Sequence, residues 1–343
     1  GSYAKNPGIS VDASDKKLNI DLASQNIMMA DDATTNFVKT YGGTVYIPLA
    51  EIDGSLYFPL NTTDQFFKLR YTVRDDAIWL RGYATDKTGA KTDLANIDFY
   101  APKKIKWTGG SEKLCLAWDY TGAVPHPAPQ TKYGGLDVIS PTWFHLITDG
   151  DGSVENYGDK VYADSAHSSG YMVWATITNN MSTKGSTAFT TKTFSDSELL
   201  NRSVAQYIFY SCLYDADGIN IDYEDVSDGD AAGLTAFTAL MRNYTERQGL
   251  VLSIDVMIPA PWTAEYDRAS LSDYVDYLAV MTYDEHYGGS PDAGSVASLP
   301  WVEEAIKATL KEVPPSKLLL GVPLYTRIWT VDSAGNVVSN PAA

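Results

Sequence analysis

Short apolar runs separated by clusters of Asp, Gly, Asn and Thr fill the first hundred residues. From Leu69 to Arg74 apolar and polar side chains alternate, which is the period of a half-buried strand. Similar runs occur as TVYIPLAEI (44–52), SLYFPLN (55–61) and DAIWLRGYA (76–84). We therefore predict a small antiparallel, strand-rich module in residues 1–108, linker included.

The pattern changes beyond the stretch APKKIKWTGG (101–110), which we predict to be part of the linker. Continuous apolar runs now recur with longer, partly helical segments between them, as is typical of strands buried on both faces of a parallel sheet. They are KLCLAW (113–118), LDVIS (136–140), YMVWATIT (171–178), GINIDY (218–223), LVLSIDVMI (250–258), YLAVMTY (277–283) and KLLLGVPLY (317–325). Residues 109–343 are accordingly predicted to form a second domain.

The intervening segments carry helix signals. Ser195 with Glu198 reads as a capping box, Gly249 ends a helix that begins near Gly229, and Pro300 opens the last helix. Strand–helix alternation without a Gly-rich phosphate turn predicts an α/β fold, a barrel of the TIM (β/α)8 type rather than an open sheet. Seven strands are visible and the chain ends soon after the last, so we expect a barrel truncated at its C-terminal end; a barrel that is closed differently is the alternative.

The charge balance narrows the class of partner. The chain has 26 Lys and Arg against 43 Asp and Glu, a formal net charge of -17, and all of the excess acid falls in residues 109–343. Such a surface disfavours nucleic acid and anionic bilayers. No stretch approaches the roughly 20 apolar residues of a membrane span. We expect neither partner.

The chemistry is concentrated in DGINIDYE (217–224). Alternate side chains of a strand share a face, so Asn220, Asp222 and Glu224 point together into the carboxyl end of the predicted barrel, where active sites of this architecture lie. Two unpaired carboxylates inside a core would cost several kcal/mol each, which argues against chance placement. A strand-end carboxylate pair that caps the next helix or binds a structural ion is the alternative.

At three strands the sequence resembles glycoside hydrolase family 18. DGINIDYE is similar to the Asp-x-x-Asp-x-Asp-x-Glu motif of that family, with Asn220 in place of the middle Asp; MTYD (281–284) fits Met-x-Tyr-Asp, and GVPLYTRIW (321–329) fits Gly-x-Pro-x-Tyr-x-Arg. LDVISPTWFHL and GINIDYEDV are similar to the bacterial spore and cell-wall branch of the family. The resemblance covers about residues 112–330.

The resemblance implies retaining hydrolysis of a β-1,4 bond next to N-acetylglucosamine, with the sugar's own acetamido oxygen as nucleophile. Glu224 would be the general acid and base. Asp222 would orient the acetamido N–H, and the Tyr283 hydroxyl would hold the acetamido oxygen. These three residues are the predicted catalytic set.

Further positions are predicted to bind substrate. The motifs contribute Asp217, Asn220, Met281, Asp284, Tyr325 and Arg327, and Trp143 is added because it directly follows the second strand. A structural ion pair is an equal alternative for Arg327, and core packing is the alternative for Trp143. No cofactor is expected, and no metal, because the four His residues form no pair at ligand spacing.

The N-terminal runs resemble the β-rich copper amine oxidase N-terminal-like domain over roughly residues 10–82. That module contains no His or Cys, so we expect a spacer or wall-targeting module without chemistry. The whole chain is predicted to be a secreted, cell-wall-associated or spore-associated glycosidase acting on N-acetylglucosamine polysaccharide, peptidoglycan ahead of chitin. A chitinase or chitooligosaccharide hydrolase, and a non-catalytic glycan-binding protein on the same barrel, are the alternatives.

Overall fold

The computed structural model describes residues 9–12, 17–21, 44–48, 50–52, 55–57, 69–74, 77–82, 113–121, 127–147, 152 and 154–340. Its contacts group the chain into two compact units. Unit 1 comprises residues 1–225 and 240–252, and unit 2 comprises residues 226–239 and 253–343. The predicted linker and the predicted domain boundary at residue 108 lie outside the described residues.

The N-terminal part of unit 1 is described as strands. They are β1 (Ile9–Asp12), β2 (Lys17–Asp21), β3 (Thr44–Pro48), β4 (Ala50–Ile52), β5 (Ser55–Tyr57), β6 (Leu69–Arg74) and β7 (Ala77–Gly82). β1 with β2, β2 with β3, β4 with β5 and β6 with β7 all pair antiparallel. The alternating run at Leu69 is thus one arm of a hairpin, as the sequence predicts.

Five further strands lie in unit 1: β8 (Leu116–Asp119), β9 (Val138–Leu146), β10 (Val154–Asn156), β11 (Met172–Thr178) and β12 (Gly218–Asp222). β8 and β9, β9 and β11, and β11 and β12 pair parallel, while β10 runs antiparallel to β9. Every residue of β11 is buried. A strand buried on both faces has to be apolar almost throughout, which explains the continuous run MVWATIT.

Three helices belong to unit 1: α1 (Lys160–Ser168), α2 (Ser186–Ser195) and α3 (Ser197–Leu213). The predicted capping box at Ser195 is wrong, because Ser195 is the last residue of α2. Asp196 caps α3 instead, and its carboxylate accepts from the backbone N–H groups of Glu198 and Leu199. A carboxylate at this position also complements the positive end of the helix.

A bulge in β9 decides which side chains face which way. In the register with β11, Thr142 pairs with Thr176 and Phe144 with Ile177, so Trp143 is an extra residue. The extra residue leaves Trp143 without a register partner on β11. Its ring is only 1% exposed and lies edge-on to Tyr162, with centroids 5.6 Å apart.

Unit 2 contains a 3-10 helix (Asp228–Asp230), α5 (Arg268–Tyr274), β14 (Tyr277–Met281), α6 (Leu299–Thr309), β15 (Leu318–Gly321), β16 (Thr330–Val331) and β17 (Val337–Ser339). α4 (Ala231–Gln248) and β13 (Val251–Met257) have residues in both units. β13 pairs parallel with β14, and β14 with β15. As predicted, Gly249 follows α4 with a positive φ of 68°, and Pro300 lies in the first turn of α6.

A buried cation organises the loop after β13 in unit 2. The Arg268 guanidinium is 4% exposed and donates to the carbonyl oxygens of Met257, Ile258 and Tyr266 at 3.0, 2.9 and 2.8 Å. It also lies 3.4 Å from Glu312. The fork geometry of arginine lets one side chain satisfy several carbonyls of an irregular segment at once.

Each of the seven apolar runs predicted as a strand in residues 109–343 overlaps an observed strand. The pairs β8–β9, β9–β11, β11–β12, β13–β14 and β14–β15 are all parallel. The α/β prediction is therefore confirmed. Among the described helices, none is both long enough and apolar enough to cross a bilayer.

Candidate active site

The carboxyl end of β12 carries the predicted acid. Ile219 and Ile221 are fully buried, Asn220 is 1% exposed, and Asp222 and Glu224 are half-buried. Burial thus decreases along the polar face of the strand towards its end, which leaves the two carboxylates accessible. Tyr223 points the other way, with its hydroxyl 3.0 Å from that of Tyr207 on α3.

Two rows of polar side chains cross the strands of unit 1 at this end. In the lower row the Ser140 and Thr176 hydroxyls are 2.8 Å apart, and Thr176 is the register partner of Asn220. One step higher, Thr178 is the register partner of Asp222. Polar groups on β9 and β11 therefore lie beside Asn220 and Asp222 of the DGINIDYE segment.

His145 continues the upper row onto β9. Its Nδ1 atom is 2.7 Å from the Thr178 hydroxyl oxygen, and Thr178 also accepts from the backbone N–H of Asn180. Burial lowers the pKa of His145 below its ordinary 6.5, against the opposing effect of the Glu155 carboxylate. The imidazole is accordingly neutral near pH 7.

The backbone of Glu224 is held by the side chain of Asn179, the residue after β11. The Glu224 N–H donates to Asn179 Oδ1 at 3.1 Å, and Asn179 Nδ2 donates to the Glu224 carbonyl oxygen at 2.6 Å. Asn179 is fully buried. Directly after Glu224, Asp225 has a φ of 50°, in the left-handed region, so the chain turns sharply away from the strand.

The hairpin strand β10 adds an acidic and an aromatic side chain beside His145. Glu155 is the register partner of His145, and the rings of His145 and Tyr157 are tilted, with centroids 5.5 Å apart. Burial, together with a hydrogen bond to Glu155, raises the pKa of Tyr157 well above 10. These residues and Asn179 are absent from the predicted set. Thr176 and Thr178 alternate with apolar residues in β11, and this pattern in the sequence could have indicated the polar rows. The short strand β10 has no distinctive sequence pattern.

Two of the predicted substrate-binding residues lie away from this end of unit 1. Asp217 precedes β12, so it is at the opposite end of that strand from Glu224, where Oδ2 accepts from the Val173 N–H and lies 2.8 Å from Nε2 of His167. Trp143 is in the core. Both positions are structural contacts in unit 1, and we leave both residues out of the substrate surface proposed below.

The remaining predicted residues lie in unit 2, after its own strands. Asp284, at a φ of 61°, accepts from the Tyr325 hydroxyl at 2.7 Å and lies 3.5 Å from the Arg327 guanidinium. The Tyr283 ring meets that of Tyr325 edge-on at 6.5 Å. Burial, followed by the hydrogen bond to Asp284, raises the pKa of Tyr325 well above 10. Met281 is buried in β14.

Within unit 1, Asp164, His167 and Asp215 have ligand atoms within 4.8 Å of one another. Lys160 pairs with Asp164 and is 3.7 Å from Asp215, so a cation already occupies the neighbourhood of both carboxylates. His167 is engaged with Asp217. The lysine supplies the charge compensation that a metal ion would otherwise bring.

Parallel strands alternate with helices along the chain, and half-buried carboxylates lie at the carboxyl end of one strand, at Asp222 and Glu224. These features define an α/β protein of the class that includes barrel-type glycosidases. Residues 182–341 match the sequence model of the family described as "Glycosyl hydrolases family 18". This match includes all three segments that carry the resemblance, at residues 217–224, 281–284 and 321–329, and it agrees with that part of the prediction. The resemblance of the N-terminal module to a copper amine oxidase domain stays a prediction.

Two Bacillus subtilis proteins are among the relatives. YdhD, which bears the provisional name of a sporulation-specific glycosylase, is 30% identical over 203 residues, covering 56% of this chain and 46% of YdhD. The cortical fragment-lytic enzyme is 25% identical over 142 residues, covering 40% of this chain and 33% of that enzyme. The chain thus spans less than half the length of either relative.

Solved structures agree with the fold. The crystal structure of YdhD superposes with a TM-score of 0.54 at 28% identity, covering 60% of this chain and 69% of that chain. The C-terminal domain of a Desulfitobacterium hafniense protein with the provisional name of chitinase superposes with a TM-score of 0.56 at 26% identity. This match covers 67% of this chain and 73% of that chain. These similarities confirm the fold class, α/β of the TIM-barrel type, and support the prediction of a glycosidase.

Proposed function

We propose that this chain hydrolyses β-1,4 bonds next to N-acetylglucosamine in bacterial peptidoglycan. The observation that carries the proposal is the carboxyl end of β12, where Glu224 is half-buried, held at both backbone polar groups, and two residues beyond the half-buried Asp222. The backbone that carries this carboxyl group is held in place, and the half-buried side chain is still reachable by a glycan.

In the proposed reaction the carbonyl oxygen of the sugar's 2-acetamido group attacks its own anomeric carbon while the bond to the leaving oxygen breaks. Glu224 gives its proton to that oxygen. The resulting oxazolinium ion is opened by water, whose proton returns to Glu224, so the acid is regenerated and the anomeric configuration is retained. Asp222 stays ionised, orients the acetamido N–H and balances the positive charge.

Roles in unit 2 rest on the family resemblance alone. Tyr283 is proposed to hold the acetamido oxygen. Asp284, which accepts from the Tyr325 hydroxyl and forms an ion pair with Arg327, is proposed to accept from a substrate hydroxyl as well. Arg327 forms the ion pair that was the structural alternative for this residue, with its guanidinium 3.5 Å from the Asp284 carboxylate. This ion pair is compatible with a substrate role for Asp284.

The choice of peptidoglycan over chitin follows the named relatives. A sporulation-specific glycosylase and a cortical fragment-lytic enzyme point to the bacterial spore or cell wall as the site of action. Spore cortex is thus the first substrate to test, and chitin oligomers are the second.

The deciding experiment varies the acetamido group. We expect hydrolysis of cortex fragments and of fully N-acetylated oligomers, no hydrolysis after complete de-N-acetylation, and competitive inhibition by a thiazoline mimic of the oxazolinium ion, because mimics of high-energy states bind far tighter than substrate. Cleavage of the de-N-acetylated oligomer would overturn the substrate-assisted mechanism. Tight binding of N-acetylated glycan without any product would instead favour the glycan-binding alternative.

A further inference from the structure

We propose that Asn179 is a positioning residue for Glu224, a role that rests on the function proposed above. The two residues are 45 positions apart and belong to different strand ends. One side-chain amide satisfies both backbone polar groups of Glu224, so it fixes the peptide planes on either side of the acid. Any movement of these peptide planes displaces the carboxyl group that extends from them, so a fixed backbone is a precondition for aiming the acid.

The surroundings of Asn179 make this arrangement rigid. The side chain is fully buried, and its Nδ2 atom also donates to Thr190 Oγ1 at 3.1 Å, so the amide is anchored to α2 as well. A buried amide that loses a partner leaves an unsatisfied polar group, so the three bonds favour a single rotamer. Asp225, with its φ of 50°, turns the chain immediately after the clamped residue.

Clamping matters for the acid step in particular. A general acid contributes most when the leaving oxygen is a poor leaving group, and least when the leaving group departs without a proton. The fall in rate that follows from loss of positioning should therefore depend on the leaving group. General damage to the fold should instead lower the rates on all substrates alike. This difference separates a positioning role from a purely structural one.

The first variant is Asn179→Asp, which keeps the shape and the acceptor oxygen and removes both donated hydrogen bonds. We expect kcat/KM on an N-acetylated oligosaccharide to fall by about 10- to 100-fold. On a dinitrophenyl N-acetylglucosaminide the fall should be about threefold or less, with KM little changed on both. Added to Glu224→Gln, the change should cause no further loss on the oligosaccharide.

Asn156→Asp is the matched control. Asn156 is equally buried and lies at the end of β10, where its Oδ1 accepts from the Gly158 N–H and its Nδ2 donates to the Tyr214 hydroxyl at 2.9 Å. The same chemical change there should lower the unfolding midpoint to a similar degree. Its effects on the two substrates should be equal.

Hydrogen exchange makes the inference testable without a stable variant. In the unmodified chain the Glu224 amide should exchange at least about 100-fold more slowly than the same amide in an unfolded chain, because its N–H donates to the buried Asn179. Unprotected exchange at Glu224, or an equal loss on both substrates in Asn179→Asp, would overturn the positioning role. Full activity in Glu224→Gln would instead overturn the proposed function itself.

Discussion

The Nδ1 atom of His145 lies 2.7 Å from the hydroxyl oxygen of Thr178, the residue that pairs with Asp222 in the register of β11 and β12. A partly buried, neutral imidazole thus ends the row of polar groups that leads to the proposed catalytic carboxylates. The burial that keeps this imidazole neutral at pH 7 also makes it a pH-sensitive point of the fold.

Stability should fall on acidification, and His145 should account for part of the loss. The folded pKa of His145 lies below the unfolded value of 6.5, so the unfolded chain binds more protons between these two values. The contribution of His145 to the free energy of unfolding is therefore fully present above pH 6.5. It is lost as the pH falls towards the pKa of His145 in the folded chain. Urea denaturation at pH 7.5 and 5.0 should show a smaller difference for His145→Gln than for the unmodified chain. An equal difference would contradict this assignment.

Glu224→Gln should remove turnover and preserve binding. The amide keeps the size of the side chain but cannot give or take a proton, so we expect kcat to fall by at least ~10²-fold. Glycan affinity, measured by calorimetry, should change by less than about threefold. Glu246→Gln, at an exposed position on α4, is the control and should behave as the unmodified chain. Retention of half the rate on an unactivated glycan would show that another group is the acid.

Asn220→Asp should change the pH–rate profile. Asn220 is 1% exposed and precedes Asp222 by two residues on one strand face, so a carboxyl there adds a second titrating group to the site. We expect the acidic limb of the pH profile of kcat/KM to shift along the pH axis, because two neighbouring carboxyl groups would titrate as a coupled pair. Asn243→Asp on the exposed side of α4 should leave the profile unchanged. Identical profiles for Asn220→Asp and the unmodified chain would show that position 220 does not act on Asp222.

Arg268→Met should destabilise the chain strongly. The substitution leaves the buried carbonyls of the loop after β13 without their donor, at a cost of about 3–5 kcal/mol in the free energy of unfolding. Arg268→Lys should recover only part of it, because a single ammonium cannot reach all of these acceptors. Lys307→Ala, which breaks the exposed ion pair with Glu304, should leave the free energy of unfolding almost unchanged, because water and salt screen this pair. A loss below about 1 kcal/mol for Arg268→Met would contradict the role of the guanidinium as the organiser of this loop.

Local patterns were sufficient for much of the architecture. The seven apolar runs each became a strand because a segment buried on both faces has to be apolar wherever it is placed. The faces of β12 also followed from alternation alone, with Tyr223 on the helix side. By contrast, the cap of α3 shifted by one residue, because Asp196 reaches the free N–H groups that Ser195, still inside α2, cannot.

The composition and order of residues determined that this protein is an acidic α/β protein with an acid-bearing strand end at Glu224. Only the tertiary structure decided which groups support that acid. The extra residue in β9 placed Trp143 in the core and His145 in the polar row, and folding brought Asn179 to the backbone of Glu224. Strand and helix patterns arise from interactions between near neighbours in the chain. Bulges and hydrogen bonds between residues 33 and 45 positions apart depend on how separate strands align, which no local pattern records.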